Sequence, residues 1–279
     1  MAAAIFLSVF IIYSIVSFIT LFFGILNIDD FWSGRRSIKE GDSSEMVEDS
    51  YLTFDHVEGI TIKHGAGTLL IKEAEVEKVK VSTDKSREGY DIKDKNGTLI
   101  INDKLKMKGF FKYFGRSHRE NNLTIHLPKN YNLEKLEIEA GAGRVILEDF
   151  TADNLDINAG AGAVSAKNVK AYKTKLTGGV GSMDLIDVEF ESGKIDCGVG
   201  KLYISGKLIG NNKINSGVGE VILDLSGQLE DYNLLVEKGL GGIFVNGKEY
   251  KNVNFKENKA ENTLEIQGGI GKINLNFKD

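Results

Sequence analysis

Any chemistry in this chain must come from a small set of groups. Its four histidines are His56, His64, His118 and His126, and its one cysteine is Cys197. No two histidines fall at a metal-ligand spacing, and Cys197 is distant from all of them, so no zinc-type ligand set is predicted. Glycoside cleavage needs two carboxylates at a defined separation. Asp184 and Asp187 come nearest, but no acid joins them in the matching columns of the next repeat. They read as solvated surface charges. No serine lies in a nucleophile-elbow pattern. Gly-x-Gly recurs along the chain, but a phosphate loop needs a third glycine and a following helix, and here alternating apolar runs follow. No catalytic residue, cofactor site or metal site is predicted.

Two features suit binding instead. The stretch KLKMKGFFKYFGRSHR contains Lys104, Lys106, Lys108, Lys112, Arg116 and Arg119, with Phe110, Phe111, Tyr113 and Phe114 among them and no acid. Basic residues mixed with aromatics suit an anionic lipid surface or a partner. The alternative is that the aromatics pack over an open end of the fold while the lysines stay solvated. The second feature is a row formed by Lys175, Lys194 and Lys213, with Lys173 nearby. It could attract an anionic polymer, or it could be an ordinary solvated face. A net charge of −5 gives no global sign of nucleic-acid binding.

That lysine row exists only because the chain repeats. The first glycines of the motif are Gly65, Gly141, Gly160, Gly179, Gly198, Gly217, Gly239 and Gly269, each followed two residues later by Gly67, Gly143, Gly162, Gly181, Gly200, Gly219, Gly241 or Gly271. The interval is 19 residues from Gly141 to Gly217, then 22 and 30. With the first glycine as position 1, position 5 holds Leu69, Val145, Val164, Met183, Leu202, Val221, Ile243 and Ile273. Position 7 holds Ile71, Leu147, Ala166, Leu185, Ile204, Leu223, Val245 and Leu275, and position 17 holds Ile157, Leu176, Ile195 and Ile214. Spacing by two is the strand period, so these residues share a face. A 19-residue unit is too short for helix-pair repeats and fits one coil of a β-solenoid. One coil cannot bury its apolar face, but a stack can. Each Gly-x-Gly then marks a tight corner where backbone layers approach closely. Cys197 falls in the slot before the corner with Ala140, Ala159, Gly178 and Ser216, as a small core filler, and His64 in the same slot covers the end of the core.

The expected fold is therefore all-β: a single-stranded parallel β-solenoid over residues 51–279, with an irregular insertion at about 82–130. Its last coil, GGIGKINLNFKD, is expected to end the stack, its edge protected by lysines and terminal charge. Residues 1–26 are expected to be a transmembrane anchor, since 2–26 hold no charge over 25 positions, long enough to cross a bilayer as a helix, and residues 27–50 a polar stalk. An uncleaved or truncated signal sequence is the alternative. Arg35, Arg36 and Lys39 follow the apolar run, which by the positive-inside rule puts the domain in the cytoplasm. The chain has 32 glycines but one proline, so the glycines hold fixed structural positions rather than marking a flexible linker.

The segments EKLEIEAGAGRVILEDFTADNLDINAGAGAV, LTIHLPKNYNLEKLEIEAGAG and GLGGIFVNGKEY closely resemble the bacterial putative-adhesin family of unknown function, which includes the LiaG-like and YvlB-like membrane-anchored proteins. The resemblance covers about residues 51–279. It implies a parallel β-solenoid displayed from a membrane anchor, outside the cytoplasm and linked at most to envelope-stress systems. The family is not known to share a catalytic site, so no functional residues carry over. The expectation is a non-catalytic envelope scaffold or binding module, in contact with the membrane and with an anionic polymer or another envelope protein. A regulator of envelope-stress signalling is the alternative, and a carbohydrate-active enzyme is a third reading.

Overall fold

The computed structural model describes residues 51–83, 89–104, 122–256 and 260–278. The apolar run, the stalk and most of the basic aromatic stretch (residues 105–119) lie outside the described residues. Among the described residues no helix is long and apolar enough to cross a membrane. The unit that carries the coils is Glu48–Asp279.

The unit is all-β. Its strands are β1 Tyr51–Phe54, β2 Gly59–Glu73, β3 Val79–Thr83, β4 Tyr90–Lys95, β5 Thr98–Asp103, β6 Leu123–Leu127, β7 Asn132–Leu208, β8 Asn211–Ser226, β9 Tyr232–Leu240, β10 Ile243–Val245, β11 Lys248–Tyr250, β12 Val253–Phe255, β13 Asn262–Ile270 and β14 Ile273–Lys278. β7 is continuous through 77 residues because the corners themselves take part in the ladder between coils. Positions 5, 7 and 17 are buried in every coil named above. A third inward pair, at positions 10 and 12, was not apparent from the glycine spacing: Phe150 and Ala152, Val169 and Ala171, Val188 and Phe190. In these three coils inward residues on all three runs let a short repeat enclose a core, at about 1.5–3 kcal/mol for each large aliphatic side chain buried.

The two glycines of each corner do different work. A Cβ on Gly179 would come within 2.3 Å of the Gly160 carbonyl oxygen, so the first glycine is required by close approach alone. A Cβ on Gly181 would meet the Gly162 oxygen at 1.7 Å, and its φ is +145°. The second glycine is required twice over. A second corner falls at position 9, where Asp149, Asn168 and Asp187 have φ of 59°, 51° and 53°. Asp and Asn tolerate this left-handed region better than other side chains. The Asn168 amide also donates to Asp149 across the coils at 2.8 Å.

Coil order in space departs from coil order in sequence at both ends. β8 pairs in parallel with both β13 and β14, so the last coil of the chain lies directly against the Gly217 coil. The Gly239 coil stacks outside it, β9 on β13 and β10 on β14. The expectation that the final coil ends the stack is thus overturned. The other end mirrors this. β5 and β6 pair in parallel with the two halves of β2, forming an outer coil beyond the Gly65 coil. Of the 82–130 segment, β5 and β6 therefore build an outer coil of their own.

The sheet is mixed rather than wholly parallel. β4 lies antiparallel on β5 and β3 on β6, and β1 in turn on β3. At the far end β12 lies antiparallel on β9 and β11 on β10. A parallel coil leaves a row of unpaired backbone groups that would template another chain. Placing the coil with the hairpin outermost lets each end fold a strand back over its own edge. The Asn96–Gly97 and Asn246–Gly247 turns make that reversal local, with φ of 51° and 78°, and 48° and 77°.

Gly181→Ala is expected to cost about 4 kcal/mol or more, or to prevent folding, since the methyl meets backbone that cannot move aside. Gly247→Ala, at a corner with nothing within 4 Å of the added carbon, is expected to cost only the left-handed penalty of about 1–2 kcal/mol. Denaturant unfolding of the two variants checks this; equal losses would contradict the stacked-corner account.

Candidate functional site

The strand entering each corner presents positions 14, 16 and 18 outward. The parallel register sets Lys194 beside Lys213 and Lys213 beside Glu265. Lys175 lies one coil further, next to Asp156 at 3.3 Å. The row is stacked, but each of its three lysines has an acid: Asp156 for Lys175, Asp196 for Lys194 at 2.8 Å, and Glu265 for Lys213 at 3.3 Å. Lys173 is exposed at position 14 of the same coil as Lys175. Burial pushes the Asp196 carboxyl up, but hydrogen bonds from Asn215 and Lys194 and the Lys175 charge outweigh it, so the net shift is downward. Like charges a few ångströms apart would repel; interleaved acids remove that cost and leave the row nearly neutral.

The strand leaving each corner builds a second cluster that was not apparent from sequence. Asp224 accepts from Asn276 at 2.8 Å, from Lys278 at 3.1 Å and from the Tyr203 hydroxyl at 3.2 Å. These residues come from three coils, and Tyr203 reaches Asp224 diagonally, since the register sets Tyr203 beside Ile222 and Asp224 beside Ser205. Asn276 and Lys278 arrive from the end of the chain, brought in by the exchanged coil order. The Asn276 hydrogen bond, then those from Lys278 and Tyr203, hold the Asp224 carboxyl below the usual carboxylate range. Asp184 and Asp187 both lie on the Gly179 coil, two coils away from Asp224 and in different columns, and are not gathered with it.

Cys197 is buried beside Ser216 in the column before the corner, and burial raises its thiol pKa, which suits an inert filler. His64 is 3% exposed, with the Tyr90 hydroxyl 3.1 Å from its Nδ1. The Tyr90 ring stacks parallel to the imidazole, closing this end of the core. Lys104 is exposed at the end of β5. Nearby, the Asp103 carboxylate accepts from the Gly65 N–H, and Asn122 accepts from the Thr68 N–H. Asp103 and Asn122, the described residues on either side of the basic aromatic segment, therefore both hold backbone of the Gly65 corner. Among the described residues, no group of three or more His, Cys, Asp or Glu side chains could hold a metal ion.

The profile of the Toastrack DUF4097 family matches residues 57–278, the whole of the coiled region. The chain belongs to this family. No curated protein matches the chain. Among solved structures it is similar to a putative cell adhesion protein from Clostridium sporogenes, at 21% identity over 83% of this chain and 99% of the other, with a TM-score of 0.41. It is also similar to putative adhesins from Bacteroides fragilis (13% identity, 81% and 97% covered, TM-score 0.43) and Parabacteroides distasonis (14%, 82% and 96%, 0.41).

Within this Toastrack unit the clearest titratable core group is His64. Burial lowers its pKa; the nearby Asp103 carboxylate and the Gly67 carbonyl offset this only in part. His126 is lowered too, by burial and then by Lys72 and Lys80. The folded state therefore holds both rings neutral, while the unfolded chain protonates near pH 6.5. Their contribution is fully present above that pH and is lost as pH falls through it. Unfolding free energy should drop between pH 7.5 and 5, and His64→Leu should flatten part of that slope. An unchanged slope would place the titrating group elsewhere.

Proposed function

We propose that this protein is a non-catalytic binding scaffold of the bacterial envelope, a parallel-coil solenoid closed by antiparallel ends. Residues 2–26 serve as a retained transmembrane anchor and residues 27–50 as a stalk, with the coiled unit outside the cytoplasm. The observation that carries the reading is the tying of outward polar groups from coil to coil: Asn168 to Asp149, Asn215 to Asp196, Lys213 to Glu265 and Asn276 to Asp224. An active site keeps a nucleophile or base poised for substrate. Here the outward groups hold one another, which makes a fixed array along a rigid stack, suited to an extended partner. The family membership and the adhesin names of the structural neighbours agree with this reading. The partner is another envelope protein, or an anionic envelope polymer that would meet Lys173 and displace the acids paired with Lys175, Lys194 and Lys213.

Arg35, Arg36 and Lys39 favour the second reading, a cytoplasmic regulator of envelope-stress signalling. Protease shaving of intact cells separates the two. Loss of the coiled unit supports external display; protection until lysis, followed by cleavage, supports the regulator. For the partner, the full chain should co-sediment with purified cell wall. Lys175→Gln/Lys194→Gln/Lys213→Gln should weaken that several-fold and make the remainder insensitive to salt. Unchanged binding would move the contact away from the row.

A further inference from the structure

The middle residue of each Gly-x-Gly corner points outward. In spatial order these are Ala66, Ala142, Ala161, Val180, Val199, Val218, Ile270 and Leu240. The ladder register sets Ala66 beside Ala142, Val199 beside Val218, and Ile270 between Val218 and Leu240. Exposure rises along the row: 38% at Val180 and Val199, 44% at Val218, 54% at Ile270 and 69% at Leu240. Every one of the eight is aliphatic, and side chains grow from methyl to isobutyl toward one end. Nothing in the coil's own packing asks for this, because these side chains leave the core.

We propose that this glycine-flanked ridge is a lipid-contacting edge, seated in the interfacial zone of a bilayer. Three observations favour lipid over a protein partner. First, the row is convex and a single side chain wide. At about 4.8 Å per coil it runs about 34 Å, too narrow a strip to supply the roughly 800 Å² per partner of a stable protein interface. A lipid surface needs no matching shape. Second, the corner backbone is engaged in the ladder between coils, as in Gly67 on Gly143 and Gly200 on Gly219. Seating the edge among acyl chains therefore strands few unpaired N–H or C=O groups, the chief cost of placing non-helical backbone there. Third, the charges on the flank that follows the ridge suit a headgroup layer. Arg144, Lys201 and Lys272 lie one residue past the ridge glycines, and the ammonium groups of Lys201 and Lys272 lie over the rings of Tyr203 (6.0 Å) and Phe244 (4.6 Å). Long basic side chains so placed can reach phosphates while their stems stay apolar. Glu220 is the acid in the same column, and it accepts from Asn274.

The source of the bilayer rests on the anchor reading of residues 2–26, so the test reads the two separately. The full chain carries Cys197→Ser, which copies Ser216 in the neighbouring slot and removes the native thiol. Single cysteines are then introduced as Val218→Cys, Ile270→Cys or Tyr172→Cys. Tyr172 is 56% exposed and lies away from the corner, at position 13, as the control. Each is labelled with a polarity-sensitive fluorophore and reconstituted into phosphatidylcholine vesicles containing some phosphatidylglycerol and spin-labelled lipid. Thermal unfolding confirms that each variant is folded. Resistance to alkaline carbonate extraction reports the anchor, and quenching by spin-labelled lipid reports the ridge. The proposal expects several-fold stronger quenching, with a blue shift, at 218 and 270 than at 172. Retention in carbonate with equal quenching at all three positions overturns the ridge and leaves the anchor intact. Release by carbonate without quenching overturns both. A blue shift without lipid quenching means that protein covers the ridge, and also overturns the proposal.

Discussion

The fold depends on how closely two backbones can lie at the glycine edge. Along that edge the carbonyl of one coil occupies the space that a Cβ of the next would need, 1.6 Å away at Gly200 and Gly219. This contact fixes the register. Once Gly143 lies on Gly67, the residues that follow are paired one by one through Glu148 on Lys72. A strand slip by one residue would exchange core and solvent faces. The glycines prevent it, since a slipped register would put Ala142 or Val180 where only hydrogen fits. The apolar columns then supply the stabilising energy, and the corner decides which columns form.

Parallel stacking creates its own hazard, because a perfect coil ends on an edge as competent as any internal one. The chain answers at each end by reordering its coils. The coil that could be followed by another is moved inward, and the coil bearing a hairpin is placed outside. The result is a pair of ends on which both main strands are covered by antiparallel ones. This explains why the repeat interval lengthens to 22 and 30 near the end of the chain. The additional residues are the turn of Leu229–Asp231 and the covering strands β11 and β12, followed by the return into the stack.

Much of this was legible in the residues. Gly-x-Gly at a fixed interval located the corners, and alternation after it located positions 5, 7 and 17. The slot shared by Ala140, Ala159, Gly178, Cys197 and Ser216 correctly implied a small filler. The order of coils was not legible, because parallel coils share one pattern and a sequence carries no mark of which neighbour each accepts. The outer coil built from β5 and β6 was hidden for a related reason: it lacks the corner motif that identifies the others. Position 9 could have been found, since Asp149, Asn168 and Asp187 recur at the same interval as the glycines. The lysine row was visible, and so were Asp156 in its own column and Asp196 two residues from Lys194 as groups that could screen it. Glu265 was not, because it reaches Lys213 only through the exchanged last coil.

The outward ladders and the ridge follow different rules, and the difference bears on what each is for. Exposed ion pairs such as Lys175 with Asp156 contribute roughly 0–1 kcal/mol each. They add little to a fold already held by its core, so their value lies in ordering a surface. The ridge adds nothing to the core, since its side chains point outward, 38% exposed at Val180 and 69% at Leu240. Alanine or serine at each of its positions would satisfy the corner equally well. A chain that repeats a large aliphatic at Val180, Val199, Val218, Ile270 and Leu240, on an edge whose only structural demand is for glycine on either side, holds apolar surface in water at a cost. That cost is offset only if something apolar meets the edge.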